Sequence, residues 1–264
     1  MYSFEYHRPG SVAEAAQLLT GNEDAKLLAG GMTYIPTLKQ RLAQPSAVID
    51  LGGIAELKGI KEEAGGLTIG AMTTHGEVAS SAAVRQAIPA LAALASNIGD
   101  AQVRNRGTIG GSISNNDPAA DYPAALVALG ATVRTSKREL AAEDFFTGMF
   151  ETALEEDEIL TAVHVPKPEK AAYSKFANPA SRYAIVGVFV ARTSAGVRVA
   201  VTGAGPAVFR ATEMEQALAG NFSAAALDNV TVAADALNSD IHASAEYRAH
   251  LVKVMAKRAV EAAG

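Results

Sequence analysis

From Arg104 to Asp121 the chain runs Arg-Asn-Arg-Gly-Thr-Ile-Gly-Gly-Ser-Ile-Ser-Asn-Asn-Asp-Pro-Ala-Ala-Asp, setting two adjacent glycines among hydroxyl, amide and guanidinium side chains. Residues of these types at this spacing suit the binding of phosphate oxygens. Gly110 and Gly111 carry no Cβ, so the backbone can take positive φ and come within hydrogen-bond distance of a ligand. Successive free N–H groups then form a concavity for an anion. Thr108, Ser112, Ser114, Asn115 and Asn116 add neutral donors, and Arg104 and Arg106 lie close enough in sequence to balance a diphosphate. A second segment, Leu27-Leu-Ala-Gly-Gly-Met-Thr-Tyr34, repeats the plan with Gly30, Gly31 and Thr33. Glycine pairs alone also make ordinary tight turns, but the polar side chains around Gly110 and Gly111 favour ligand binding. Two such loops point to one extended ligand with two phosphates.

Other motifs carry less. Gly203-Ala-Gly205-Pro follows a strand pattern like the start of a dinucleotide fingerprint, but the third glycine is missing and Pro206 occupies the helix approach. The five histidines, at 7, 75, 164, 242 and 250, show no metal-ligand spacing. No nucleophile elbow or Ser-His-Asp arrangement supports hydrolysis. Lys175 reads either as an exposed strand residue or as a cation near an electron-rich ligand ring. Tyr183 reads either as core packing or as a ring stacked on a flat heterocycle.

The elements that must position these residues follow from hydrophobic periodicity. Ser11, with Glu14 three positions on, caps a short first helix. Residues 26–29 read as a strand entering the first glycine loop, 34–42 as a helix leaving it, and 48–51 as another strand, a βαβ-like unit ending near 55. Gly65-Gly66 turns a hairpin, residues 76–81 and 83–95 read as helices, and the second glycine loop follows. A helix over 121–129, a strand over 131–134 and a strand over 158–165 complete this part. Lys167-Pro-Glu-Lys-Ala is the candidate linker. Beyond it, strands over 173–176, 184–192 and 197–203 and helices over 223–237 and 243–263 form an α+β unit.

With 264 residues the chain is long enough for two domains, each with its own core. A net charge of -5 argues against nucleic-acid binding, which calls for a clustered basic surface. Cysteine is absent, so the chain cannot hold a disulfide, a thiolate zinc site or a cysteine-ligated iron–sulfur cluster, and redox chemistry would use an organic cofactor. The first residues contain no apolar leader and no window approaches 18 apolar residues, so the expectation is a cytoplasmic chain without a membrane span.

At this point the residues resemble a known family, the FAD-binding medium subunit of the molybdenum hydroxylases, of the carbon monoxide dehydrogenase and xanthine dehydrogenase type. The resemblance covers essentially the whole chain. It rests on Leu28-Ala-Gly-Gly-Met-Thr33, Leu67-Thr-Ile-Gly-Ala-Met-Thr-Thr74, Val103-Arg-Asn-Arg-Gly-Thr-Ile-Gly-Gly-Ser112, Asp117-Pro-Ala-Ala-Asp-Tyr-Pro123, Arg182-Tyr-Ala-Ile-Val-Gly-Val188 and Ala245-Glu-Tyr-Arg-Ala-His250. The fold it implies is α+β: a p-cresol methylhydroxylase-type FAD-binding domain over 1–168, with two α/β subdomains (about 1–56 and 57–168). A smaller C-terminal α+β domain over 169–264 would hold a three-stranded antiparallel sheet with helices.

By the same resemblance, Ala29, Gly30, Gly31, Met32 and Thr33, with Thr108, Ile109, Gly110, Gly111 and Ser112, would hold the FAD diphosphate, and Leu28 would belong to the cofactor site. Asn115 and Asp117 would belong to the same cofactor site. Asp121 would accept a hydrogen bond from the ribose or ribityl part, and Ile98 would face the adenine. Leu160 and Lys175 would approach the flavin end, with Tyr183 near the isoalloxazine ring. Met32 departs from the family pattern, which often has His or Asn nearby. The implied function is electron transfer without a catalytic residue in this chain. A large partner subunit would carry the molybdenum cofactor and a small one the [2Fe-2S] clusters, and FAD would pass electrons to an external acceptor. Two alternatives are a self-sufficient flavin reductase or oxidase on the same fold and a non-redox phosphate-ligand assembly module.

Overall fold

Alternating apolar runs and turn residues give the first sheet. The computed structural model describes residues 1–264, and its N-terminal strands Glu5–His7, Lys26–Leu28 and Ala47–Asp50 pair in parallel with Ala47–Asp50 in the middle. Ala47, Val48 and Ile49 are all buried, as a central parallel strand requires. The crossover helix Val12–Gly21 starts at Ser11, whose side chain accepts the Glu14 N–H at 3.2 Å.

The second sheet is antiparallel and five-stranded, in the spatial order Ile60–Glu63, Gly66–Gly70, Leu160–Pro166, Thr132–Thr135, Glu139–Ala141. Its core is built with Pro89–Ser96, Ile109–Asn115 and Tyr122–Leu129. Every residue of Tyr122–Leu129 is buried, because the C-terminal sheet covers its far side through Phe189, Ala191 and Ala200. One continuous core therefore spans the two halves of the chain.

The C-terminal sheet is antiparallel, in the order Lys170–Ala177, Ala184–Thr193, Gly196–Thr202, Phe209–Arg210. Helix Ala245–Ala263 covers its other face, so the first eight residues of Ala184–Thr193 are all buried and read as an unbroken apolar run. The sheet has four strands where the sequence predicts three. Phe209–Arg210 is only two residues long and follows Pro206, so it leaves no alternating pattern to detect.

Two predicted helices are also corrected. Residues 223–237 hold only the 3-10 turn Ala224–Leu227; Asp228 and Asn229 disfavour continuation, and Asp228 is tied instead to Lys253 and Lys257. The helix lies earlier, at Thr212–Gly220. The predicted 83–95 helix is two, Ala82–Ala87 and Pro89–Ser96, because the residue before a proline avoids the α region and Ile88 sits at φ -141°, ψ 68°.

Candidate functional site

A cleft of about 500 Å³ opens where the first sheet, the second sheet and the C-terminal domain meet. It brings together Leu28, Ala29, Gly30, Gly31, Met32 and Thr33 from the first glycine segment. From the second come Thr108, Gly110, Gly111, Ser112, Asn115, Asp117 and Asp121, joined by Ile98, Leu160 and Tyr183. Ile109 does not line the cleft; it is fully buried and belongs to the core. Lys175 also lies outside the lining and reaches the site through Asp121.

The two glycine segments differ in what their backbones offer. In the first, the N–H groups of Ala29, Gly30, Gly31, Met32 and Thr33 have no acceptor within the chain. All five residues line the cleft, and a run of free amides of this kind can form a nest for an anion. Gly31 has φ +76°, a left-handed conformation that turns the chain into helix Tyr34–Lys39. Gly30 has a different purpose. A Cβ there would lie 2.0 Å from the Arg106 carbonyl oxygen, so its smallness lets the two segments touch.

In the second segment the expected loop of free amides is instead the start of a helix, Ile109–Asn115, capped by Thr108. Gly111 N–H donates to Thr108 Oγ1 at 3.0 Å, Gly110 N–H to Ala71 O at 2.9 Å and Ile109 N–H to Thr73 O at 3.0 Å. Those donors are occupied, and Ser112, Ser114 and Asn115 line the cleft. A Cβ on Gly111 would lie 3.1 Å from that of Ala29, again a loop-to-loop contact.

The arginines are also reassigned. Arg104 donates to the Ile98 and Gly99 carbonyls at 3.0 and 3.1 Å, holding the turn that presents Ile98, and neither Arg104 nor Arg106 lines the cleft. Asn116 is buried at φ +41° and donates to the Gly148 and Glu151 carbonyls, so its role is to hold a neighbouring hairpin.

Asp121 sits just before helix Tyr122–Leu129 and is buried against the C-terminal domain. The Tyr173 hydroxyl donates to its Oδ1, and Lys175 Nζ lies 3.1 Å from Oδ1 and 3.2 Å from Oδ2. Lys175 also donates to the Asn97 carbonyl at 2.8 Å. Burial pushes the Asp121 carboxyl up, and the Lys175 ammonium and the two hydrogen bonds oppose that push. A carboxylate offers about four lone-pair sites, so Asp121 retains accepting capacity toward the cleft. Burial likewise raises Asp117, and it raises the Tyr183 phenol, with the Asp117 and Asp121 charges adding to that rise. Tyr183, partly exposed, follows Arg182 at φ +63° and closes the cleft from the C-terminal side with Ser181.

Sequence reasoning missed Tyr34, His75 and Arg182 in this lining. The Tyr34 hydroxyl and His75 Nδ1 are buried without a hydrogen-bond partner. Burial, with the nearby Arg104 charge, lowers His75 to about 4, so the imidazole is neutral. Only its burial beside Gly107 distinguishes it, and no linear pattern signals that.

The donor set suits a dinucleotide: a run of free amides for a diphosphate, with hydroxyl and carboxylate groups and apolar Ile98 and Leu160 in the same cleft. Comparison with known proteins agrees. Residues 2–168 match the family described as the FAD binding domain in molybdopterin dehydrogenase, and residues 171–263 match the CO dehydrogenase flavoprotein C-terminal domain. The nicotine 6-hydroxylase medium subunit of Paenarthrobacter nicotinovorans is 36% identical, over 99% of this chain and 98% of that one. The carbon monoxide dehydrogenase medium chain of Hydrogenophaga pseudoflava is 38% identical, over 98% and 96%. A crystal structure of cyanide-inactivated Cu,Mo-CO dehydrogenase contains a chain that superposes with a TM-score of 0.91 at 37% identity, covering 99% of this chain and 98% of that one. The chain thus belongs to the FAD-binding medium-subunit family of the molybdenum hydroxylases, as a subunit of an oxidoreductase complex.

Proposed function

We propose that this chain links a small subunit carrying [2Fe-2S] clusters to an external electron acceptor, in a complex whose large subunit oxidises substrate at a molybdenum cofactor. Bound FAD would supply the redox chemistry, taking up electrons from the clusters and releasing them to the acceptor. The chain's own residues bind and orient it and shield it from water.

The observation that carries this reading is the run of five unpaired amides over 29–33, in a cleft that Asp117, Asp121, Ile98, Leu160 and Tyr183 also line. Those amides, with the Thr33 hydroxyl and the Ser112 and Asn115 side chains, are assigned to the diphosphate. Thr108, Ile109, Gly110 and Gly111 support it indirectly, by capping and packing that keep the two segments in contact. Asp121 accepts from a ribose or ribityl hydroxyl, with Asp117 beside it. Ile98 packs at the adenine end, and Leu160 and Tyr183 at the flavin end, where Met32 lies at the rim. Lys175 acts through Asp121.

The same reading divides the chain at 168/169, with subdomains at about 1–56 and 57–168. Sheet membership supports this, since no sheet contains strands from two of the three parts. A cytoplasmic location is proposed with it. No helix is long and apolar enough to cross a membrane.

The test is reconstitution of the purified chain with FAD, followed by co-purification from its native host. A stoichiometric oxidised-flavin spectrum together with large and small partner subunits is the expected result. A chain that takes up no flavin refutes the site assignment, and a flavin-loaded chain that purifies alone and turns over a small substrate refutes the relay role.

A further inference from the structure

The C-terminal domain does more than cover the core: one row of its sheet grips the segment that carries Asp121. In the ladder, Lys175 lies opposite Gly187, and Gly187 lies opposite Thr202, so these three residues share one face of the sheet. Lys175 binds the Asp121 carboxylate. Thr202 Oγ1 donates to the Ala120 carbonyl at 2.6 Å or the Pro118 carbonyl at 3.0 Å. Next to this row, the Gly203 N–H donates to Pro118 O at 2.8 Å.

The middle of the row is the one position without a side chain, and the Tyr173 phenol occupies the gap. A Cβ on Gly187 would lie 2.2 Å from the Tyr173 hydroxyl and 2.9 Å from its Cζ. Any other residue at 187 would displace the ring. Two residues from Lys175 on the same strand, Tyr173 points to the same face, packs beside Phe189 with ring centroids 6.2 Å apart, and donates to Asp121 Oδ1. Gly187 has no positive φ and is not needed for a turn. Its bareness is accounted for by the phenol.

We propose that Tyr173, seated in the space left by Gly187, is a positioning residue of the cofactor site: it fixes the orientation of the Asp121 carboxylate from the C-terminal domain. Tyr173 holds Oδ1 against the sheet while Lys175 lies within reach of both oxygens, so the plane of the carboxylate is fixed and its remaining lone pairs are what it offers the cleft. The inference rests on the reading that Asp121 meets the cofactor.

The test measures FAD affinity of the full-length apo chain by quenching of flavin fluorescence, for Tyr173→Phe, Asp121→Asn, the double variant and Gly187→Ala, with circular dichroism as the folding check. Tyr173→Phe should weaken FAD binding by about tenfold, the scale of one charge-assisted hydrogen bond. The double variant should bind no more weakly than Asp121→Asn alone, and Gly187→Ala should reproduce the Tyr173→Phe loss while keeping the hydroxyl. Should Tyr173→Phe fail to fold, Gly187→Ala carries the comparison with Asp121→Asn. Wild-type affinity in Tyr173→Phe beside a weakened Asp121→Asn overturns the positioning role and leaves the site reading standing. Independent, multiplying losses in the double variant overturn it too. Unchanged affinity in Asp121→Asn removes both the inference and the reading beneath it.

Discussion

Replacing Lys175 with Met removes the cation from a nearly sealed ion pair. The Lys175 and Asp121 side chains are 7% and 6% exposed, with Nζ 3.1 Å from Oδ1. At an effective dielectric constant of about 20, two unit charges at that separation attract by roughly 5 kcal/mol. Removing one partner leaves the other charge buried, which typically costs about 3–5 kcal/mol. Tyr173 still donates to Asp121, so the lower end of that range is expected for Lys175→Met. The loss must depend on pH. Without Lys175 the already raised Asp121 carboxyl moves further up. A carboxyl raised in the folded state contributes stability that is present below its unfolded value and is lost as pH rises through the folded value. The variant should therefore lie closest to wild type near pH 4 and fall furthest behind at pH 8. Urea denaturation of apo wild type and variant at both pH values measures this. A deficit below about 1 kcal/mol, or one equal at both pH values, refutes the picture of a sealed pair.

Three further outcomes follow from the same geometry. Gly31→Ala forces a Cβ into a left-handed residue and to 2.6 Å from Ile35 Cδ1, so FAD occupancy after reconstitution should fall with a stability loss of about 1–2 kcal/mol; full loading would remove the nest from the site. Thr108→Ala deletes the cap that holds Gly111 and should lower the melting temperature by the equivalent of about 1 kcal/mol in calorimetry. Glu158, held by Arg138, Thr135 and the Glu155 N–H, has its carboxyl depressed to about 2. Its stabilisation is present above the ordinary carboxylate value and lost as pH falls toward 2. Glu158→Gln should thus flatten the acid limb of a stability-versus-pH curve, and an unaltered limb would count against the network.

Much of the frame was legible because local rules agree with the tertiary result. Ser11 with Glu14, the hairpin turn at Gly65-Gly66 and the apolar run of Ala184–Thr193 each specify their element without help from distant residues. Where neighbouring residues pull in different directions, the local pattern misleads. The run at 223–237 is rich in alanine, yet Asp228 is drawn to lysines on the last helix, and Phe209–Arg210 becomes a strand only because Val201 and Ala200 present an open edge.

At the site the division is sharper. The residue types alone marked both glycine segments as a ligand site, and the family resemblance added Asp121 and Tyr183; all of them line one cleft. Which amides are free is a property of the folded chain. Ala71 and Thr73, far from Gly110 in sequence, take up the donors of the second segment, and nothing comparable reaches 29–33. The same holds for Arg104 and Lys175, whose charges suggest a ligand but whose partners are the Ile98 and Gly99 carbonyls and Asp121. Sequence by itself determined the chemistry on offer; only tertiary structure decided which groups are spent on the protein and which remain for the cofactor, because a hydrogen bond depends on distances between residues that the chain order leaves far apart.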